Sequence, residues 1–451
     1  MALMISVSGI RGIFGTHLTP ENLVSFTAAY GTWLEGGTVV VGRDTRQTGQ
    51  MCEDIVCATL QSVGCNVIKT GISPTPTVAM AVLKHRAQGG IILTASHNPE
   101  EWNALKLLNG KSEFLDEEEG NEVLKIAESR AFDYKMYDGI GSLQEDNEAI
   151  TDHIDKILEL PYIDREVIER AGFSVAVDAV NGAGSFALPE LLRRLGVREV
   201  HKLHCTPDGR FPHNPEPLPE HLTEISDFVR THKCNLGLVT DPDADRLAVI
   251  DEKGQLFGEE YTQVAAFDFM LSKKPGDTAT NLSSSRAADD ITVKYGYVCH
   301  RTAVGEINVV RGMQKHSAVI SGEGNGGVIN PDLHPGRDAL VGAAMILQLL
   351  AERNVRASEY RAGLPHYEMS KQRIELNDLG MEADEVLDKI YRNFKSHNPN
   401  ITDGVKIDFD EGWVHFRKSN TEPIVRVYSE ARSEEEANAL AEKVVGDVLP
   451  D

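Results

Sequence analysis

A serine closing an apolar run is the first residue placed for chemistry: Ile91-Ile92-Leu93-Thr94-Ala95-Ser96-His97-Asn98-Pro99 reads as a buried strand entering a polar, proline-terminated turn. A hydroxyl there, among the N–H groups of a turn, suits a nucleophile or phosphate carrier; equally, Ser96 and Asn98 could merely cap the turn. Asn103 and Lys106 follow within one or two helical turns, the lysine a proton carrier if buried and otherwise a solvated helix residue. In Thr240-Asp241-Pro242-Asp243-Ala244-Asp245-Arg246 three carboxylates alternate along extended chain, project to one side and can converge on a hard divalent cation. A calcium hand is the decoy, with Glu252 at its twelfth position. It fails because Arg246 stands where that loop needs glycine and Leu247–Asp251 reads as strand. Three carboxylates with room for a phosphate oxygen favour magnesium; an acidic surface turn is the plainer alternative.

Two further loops carry polar chemistry. Gly322-Glu323-Gly324-Asn325-Gly326-Gly327 formally fits GxGxxG, but Val328-Ile329-Asn330-Pro331 follows instead of a helix start. Gly110-Lys111-Ser112 has Leu105 where a P-loop requires its first glycine, so nucleotide chemistry loses both signatures. Glu323 and Asn325 are left to hydrogen-bond sugar hydroxyls, or the loop is an ordinary tight turn. Arg417-Lys418-Ser419-Asn420-Thr421-Glu422-Pro423, with Arg426 beyond, joins guanidinium to hydroxyls and N–H groups. That is a phosphate cradle or a structural Ser/Thr turn.

Such loops need strands to hold them. Apolar runs at 38–41, 90–93, 174–177, 236–239 and 318–320, each followed by turn residues and a helical pattern, indicate α/β layers with parallel or mixed sheets. At about 150 residues per domain, 451 residues make two to four domains. Breaks are expected in the acidic stretch 137–146 before a helix at Ala149–Leu158, after Asp251, and near Leu364-Pro365 beyond a helix at 339–351. The resulting units are 1–145, 146–252, 253–366 and 367–451, the last an α+β unit, with Pro365 a candidate hinge. With 45 Lys and Arg against 69 Asp and Glu, the net charge of −24 argues against a nucleic-acid or anionic-membrane partner. The first residues lack a signal pattern and no segment reaches 18 apolar residues, so the cytoplasm is the expected compartment. The six cysteines are scattered without metal spacing and read as reduced thiols.

Taken in order, TASHNP, DPDADR, GEGNGG and RKSNTEP resemble the α-D-phosphohexomutase superfamily of phosphoglucomutases, phosphomannomutases and phosphoglucosamine mutases across essentially the whole chain. Ser8-Gly9-Ile10-Arg11-Gly12, Gly42-Arg43-Asp44-Thr45-Arg46, Asp178 with Asn181-Gly182-Ala183-Gly184, and residues 302–305 add to the resemblance. It implies three α/β domains with mixed sheets and a smaller C-terminal α+β domain around a central cleft, each giving one loop. It implies phosphate carried on Ser96, Mg²⁺ held by Asp241, Asp243, Asp245 and Ser96, and catalytic roles for Arg11, His97, Lys106 and Arg246. Glu323 and Asn325 would face the sugar, while Arg417, Ser419, Asn420, Thr421 and Arg426 would take the non-reacting phosphate. The implied substrate is a hexose phosphate, with a hexose 1,6-bisphosphate as intermediate and activator, in a monomer or homodimer. One departure stands out: many bacterial members have histidine where this chain has Gly327. His334 is a candidate substitute, an exposed loop histidine being the plainer reading. GEGNGG followed by HPGRDAL resembles members assigned as phosphoglucosamine mutases, with glucose and mannose phosphates close behind.

Overall fold

The protein is described by a computed structural model covering residues 3–6, 9–419 and 423–446. It forms two compact units. One holds the chain through Phe269 together with Asn325–Arg361; the other holds Met270–Gly324 and the residues from Ala362 onward.

The first unit is built on two sheets. Its seven-stranded sheet runs Met4–Ser6, Gly9–Ile13, Trp102–Asn109, Gly89–Leu93, Gly37–Arg43, Cys65–Ile72, Leu143–Glu145. The last four strands are mutually parallel and the first three add antiparallel pairs. Helices Pro20–Trp33, Gly49–Ser62 and Glu117–Ser129 carry residues of the core on which this sheet closes, and strands covered on both faces read as unbroken apolar runs such as GGIIL. The acidic stretch expected to be only a boundary also supplies the edge strand Leu143–Glu145, parallel to Cys65–Ile72. The second sheet orders Leu247–Asp251, Leu236–Thr240, Ser174–Asp178, Glu199–Leu203, with one antiparallel pair. Beside it, Ala339–Arg353 is apolar almost all round and buried through most of its length, each Leu or Ile contributing about 1.5–3 kcal/mol. Asp338 starts this helix, its Oδ1 accepting from the N–H groups of Leu340 and Val341.

The second unit holds parallel strands Cys299–Thr302, Thr278–Asn281 and Ile320–Glu323, and a four-stranded antiparallel sheet ordered Glu368–Glu375, Ile424–Ala431, Trp413–Lys418, Val405–Asp408. The strand expected at 318–320 begins only at Ile320. Ser317 and Ala318 are consumed in closing helix Glu306–His316, donating to the carbonyls of Gln314 and Met313. Among the described residues no helix is long and apolar enough to cross a membrane. All six cysteines are free thiols; burial pushes Cys52, Cys57 and Cys205 up to about 12, which leaves them protonated and poor nucleophiles.

Candidate active site

Ser96 lies beyond the carboxyl end of strand Gly89–Leu93 with φ of 51°, a left-handed conformation costing a non-glycine residue about 1–3 kcal/mol. The surroundings hold it there. Its N–H donates to Thr94 Oγ1 at 3.0 Å, and that hydroxyl donates to Asp44 Oδ2 at 2.7 Å. Arg46, wholly buried against Asp44, donates Nη1 to the Pro99 carbonyl at 2.6 Å and Nη2 to the carbonyls of Ser96 and Asn98 at 2.6 and 2.8 Å. Bonds from a charged donor contribute about 1.5–3 kcal/mol each, so one guanidinium sets the loop's path. The Ser96 hydroxyl then donates to Asp241 Oδ2 at 2.9 Å, across from the second sheet.

Asp241, Asp243 and Asp245 do converge, each offering an oxygen within 4.8 Å of the others. They do so on a turn rather than extended chain: Ala244 has φ of 53° and its N–H donates back to the Asp241 carbonyl at 3.0 Å. Asp241 Oδ1 accepts from the N–H groups of Asp245 and Arg246. Asp243 Oδ2 accepts from Lys106 Nζ and Thr75 Oγ1, both at 2.7 Å, and Asp245 Oδ2 from Arg337 Nη2 at 2.6 Å. Asp243 Oδ1 and Asp245 Oδ1 are buried without a hydrogen-bond partner. Buried carboxylate oxygens in that state are costly unless a cation takes them, and an all-oxygen donor set fits a hard divalent ion. Burial, then the charges of Asp245 and Asp243, push the Asp241 carboxyl well above its usual range. Burial would raise Asp243 too, but the Lys106 charge overrides it and holds that carboxyl low.

Lys106 is buried, as a proton carrier must be, yet it sits on strand Trp102–Asn109 and not on a helix, paired between Gly9 and Ile92. Arg11 reaches Asn98 Oδ1 with Nη1 at 2.9 Å. His97 Nδ1 lies 3.4 Å from Ser96 Oγ; burial, then Arg246 and Arg11, lower its pKa to about 2, so the ring is neutral. Arg246 is near enough to Asp245 for a weak ion pair at 3.9 Å. At Gly327, a Cβ would lie 2.3 Å from Arg337 Cδ. Arg337 thus fills the space a side chain at 327 would need, and it is Arg337, not His334, that reaches the acidic turn. His334 is 2% exposed and faces His153 and Asp338, which corrects both readings of it as a site residue and as an exposed one.

The second unit assembles its own polar group. Glu323, buried at the end of its strand, accepts on Oε1 from Asn281 Nδ2 at 3.0 Å and the Gly305 N–H at 3.2 Å. Asp403 Oδ2 accepts from the neighbouring Val304 N–H at 2.9 Å and from Arg417 Nε at 2.8 Å. The loop at 302–305 therefore joins Glu323 to Arg417. Arg417 faces Arg426 across the sheet, and Arg426 faces Arg373 on the next strand. Like charges opposite one another destabilise a sheet, so this row is suited to an anion. Ser419 is buried, and its N–H closes the loop onto the Ile424 carbonyl. Asn420 and Thr421 lie outside the described residues. Asn325, in the first unit, accepts on Oδ1 from the Gly327 N–H at 3.3 Å.

Arg46 and Arg337 were not assigned roles from sequence, and a latch over Arg46 was also missed. Phe211 lies 5.0 Å from the Arg46 guanidinium, a cation–π distance, and Thr45 Oγ1 donates to the Asn181 carbonyl at 2.7 Å. The Phe211 segment is held by Asp178 Oδ2, approached by His204 Nδ1 at 2.8 Å and His213 Nε2 at 3.1 Å. The bond to Asp178 raises His204; burial opposes but the same partner raises His213; the two rings together lower Asp178 against its own burial. Histidines raised in the folded state stabilise fully below their ordinary 6.5 and lose that contribution as pH climbs through the folded values. Asp178, lowered from 3.8, contributes above that pH and loses its share as pH falls through its folded value. Thermal unfolding from mildly acid to alkaline pH is expected to show a decline above neutrality that Asp178→Asn flattens; parallel curves for the two proteins would refute the latch.

Compared with known proteins, the chain matches four family profiles. Three are described as phosphoglucomutase/phosphomannomutase alpha/beta/alpha domains I, II and III, at residues 3–134, 151–254 and 258–367, and the fourth as the phosphoglucomutase/phosphomannomutase C-terminal domain, at 373–446. A phosphoglucomutase/phosphomannomutase of Thermococcus kodakarensis is 38% identical, covering 98% of this chain and 97% of that protein. A probable phosphoglucosamine mutase of Methanopyrus kandleri is 34% identical over 99% and 97%. Among solved structures, a phosphoglucomutase/phosphomannomutase family protein of Burkholderia thailandensis superposes with a TM-score of 0.86 at 24% identity, covering 99% of both chains.

Proposed function

This chain belongs to the phosphoglucomutase/phosphomannomutase family and is a phosphohexomutase, and from that premise we propose that it moves a phosphoryl group between the 1- and 6-positions of a hexose phosphate through phospho-Ser96. The preferred pair is glucosamine 6-phosphate and glucosamine 1-phosphate. The observation that carries this reading is the Ser96 hydroxyl set 2.9 Å from Asp241, in a strained loop beside three carboxylates, two of which, Asp243 and Asp245, keep an unpartnered oxygen.

In the first half-reaction the P–O bond to Ser96 breaks as a substrate hydroxyl oxygen bonds to phosphorus, giving a 1,6-bisphosphate. The bisphosphate turns over and returns its other phosphoryl to Ser96; supplied from outside, it phosphorylates the serine and acts as activator. Arg11 and Arg246 offset charge on the transferring group, and Lys106 Nζ, held by Asp243, relays to the leaving Ser96 oxygen the proton that the substrate hydroxyl gives up. Neutral His97 leaves a ring nitrogen open to accept a hydrogen bond beside the serine oxygen. Asp241, Asp243, Asp245 and the Ser96 oxygen would hold Mg²⁺, which when bound neutralises charge at the phosphoryl. Glu323 and Asn325 take sugar hydroxyls; Arg417, Ser419, Asn420, Thr421 and Arg426 take the phosphate that is not transferred. We place the four domains at 1–145, 146–252, 253–366 and 367–451.

A second reading, mixed phosphomannomutase and phosphoglucomutase specificity, is favoured by the 38% identity to the Thermococcus kodakarensis protein of that name. Coupled assays with glucosamine 6-phosphate, glucose 1-phosphate and mannose 1-phosphate, each with and without 1,6-bisphosphate, separate the two. The largest kcat/KM is expected for the glucosamine pair. Comparable values for all three support mixed specificity, and free phosphate in place of isomer would make the protein a phosphatase.

A further inference from the structure

Away from the acidic turn, the first unit buries a second group of metal-ligating side chains for which the phosphoryl-transfer reading has no use. His153, on helix Ala149–Leu158, and His334 and Asp338, before helix Ala339–Arg353, each offer a donor atom within 4.8 Å of the others. All three are at most 2% exposed. His153 Nε2 lies 2.9 Å from Asp338 Oδ2, and His334 Nε2 lies 3.4 Å from the same oxygen. Neither ring nitrogen of His334 has a hydrogen-bond partner, although both are buried. A histidine in that state forfeits its solvation for no more than the 3.4 Å approach to Asp338, and an unsatisfied buried polar group costs about 1–3 kcal/mol.

We propose that His153, His334 and Asp338 form a binding site for a borderline transition-metal ion of the zinc type, separate from the magnesium site. Ligands about 2.0–2.1 Å from a tetrahedral ion stand about 3.3 Å apart, and the two observed separations bracket that value. The outer contacts are those a ligating histidine needs. The other nitrogen of His153, Nδ1, sits 2.9 Å from Thr77 Oγ1, which fixes the ring with Nε2 toward the cluster. Asp338 keeps Oδ2 for the site because its Oδ1 is engaged at the helix start. Imidazole donors select zinc-like ions over Mg²⁺, which prefers oxygen. A cavity of about 430 Å³ borders the cluster at His153 and Leu333, and the acids that line it, Asp152, Asp155 and Glu159, are paired with Lys84, Arg194 and Lys156.

The ion would have a structural role. His153 comes from a helix after the first sheet, while Asp338 starts the helix whose preceding residue, Arg337, grips Asp245. Fixing 334–338 therefore steadies a guanidinium of the acidic turn. The group Asp178, His204 and His213 is the other candidate, but hydrogen bonds already account for its facing atoms.

The test uses the full-length protein stripped with a chelator and then given one equivalent of Co²⁺ in excess Mg²⁺. One Co²⁺ per chain is expected, with the intense visible absorption of a low-coordinate site and a raised unfolding temperature. Asp243→Asn should retain that spectrum, whereas His334→Asn and His153→Gln, on separate elements, should each lose it along with the thermal shift. Failure of the parent protein to bind Co²⁺ or Zn²⁺ under these conditions overturns the proposal whether or not the variants fold. Binding that survives both histidine substitutions but not Asp243→Asn overturns it as well, because the ion is then in the acidic turn. Since the readout is metal content and not turnover, the result is independent of the sugar-phosphate reading.

Discussion

Ser96→Ala is expected to eliminate phosphoenzyme formation and to lower kcat on the order of 10⁴-fold or more, the scale on which removal of a covalent nucleophile acts. The substitution removes one oxygen. Arg46 binds the carbonyl of Ser96 and the Thr94 hydroxyl binds its N–H, so both contacts persist and the loop keeps its path. Circular dichroism should accordingly match the parent, and the unfolding temperature should fall only by what the bond lost to buried Asp241 Oδ2 contributes, about 1–3 kcal/mol. Labelling with a ³²P-labelled hexose 1,6-bisphosphate gives the direct readout: label on the parent, none on the variant. Undiminished turnover by Ser96→Ala would end the phosphoserine mechanism.

Asp241→Asn is expected to pull activity and stability in opposite directions. Its carboxylate is buried beside those of Asp243 and Asp245, and their charges drive it toward the protonated form. With its one oxygen toward the N–H groups of Asp245 and Arg246, asparagine keeps those bonds and turns its Nδ2 to the Ser96 oxygen, which can accept, while removing one charge. Chelator-treated Asp241→Asn should therefore unfold at a higher temperature than chelator-treated parent, by about 1–3 kcal/mol, the scale on which an uncompensated buried polar group costs stability. Added Mg²⁺ reverses the order. The parent should gain about 2.7 kcal/mol at a hundredfold excess over Kd, and the variant little. With a metal contributing several kcal/mol to phosphoryl transfer, and each 1.4 kcal/mol a factor of ten, kcat should fall about 10²–10³-fold. A variant as unstable as the parent without metal, yet equally stabilised by Mg²⁺, would show that Asp241 is not a ligand.

The parts of this molecule visible in its sequence are those governed by local pattern. Buried parallel strands appear as short apolar runs, and a serine or an acidic triplet directly after such a run is delivered to a strand end. Lys106 was misplaced on a helix because 104–108 is a short apolar run with one polar residue, which periodicity alone does not assign, and pairing with Gly9–Ile13 and Gly89–Leu93 decides it. The acidic triplet was right in membership and wrong in backbone: alternation suggests extended chain, whereas Ala244 in the left-handed region makes a turn. Arg46 and Arg337 act on residues tens of positions away, so no window around either one shows its role. His334 sits among loop residues, where exposure is the normal state; a helix more than 180 positions earlier buries it.

The close approach of Gly327 to Arg337 couples what the two positions can hold. A histidine at 327 would collide with the Arg337 stem, while loss of Arg337 leaves a gap beside Asp245. Each change alone is expected to lower stability, the first by a clash and the second by a lost ion pair and a void. Substitutions at 327 and 337 should thus be strongly non-additive, and the double variant should outperform the worse of its parents. Gly327 and Arg337, ten residues apart, thereby act as one structural unit: the bare backbone of the first is the room that the stem of the second occupies.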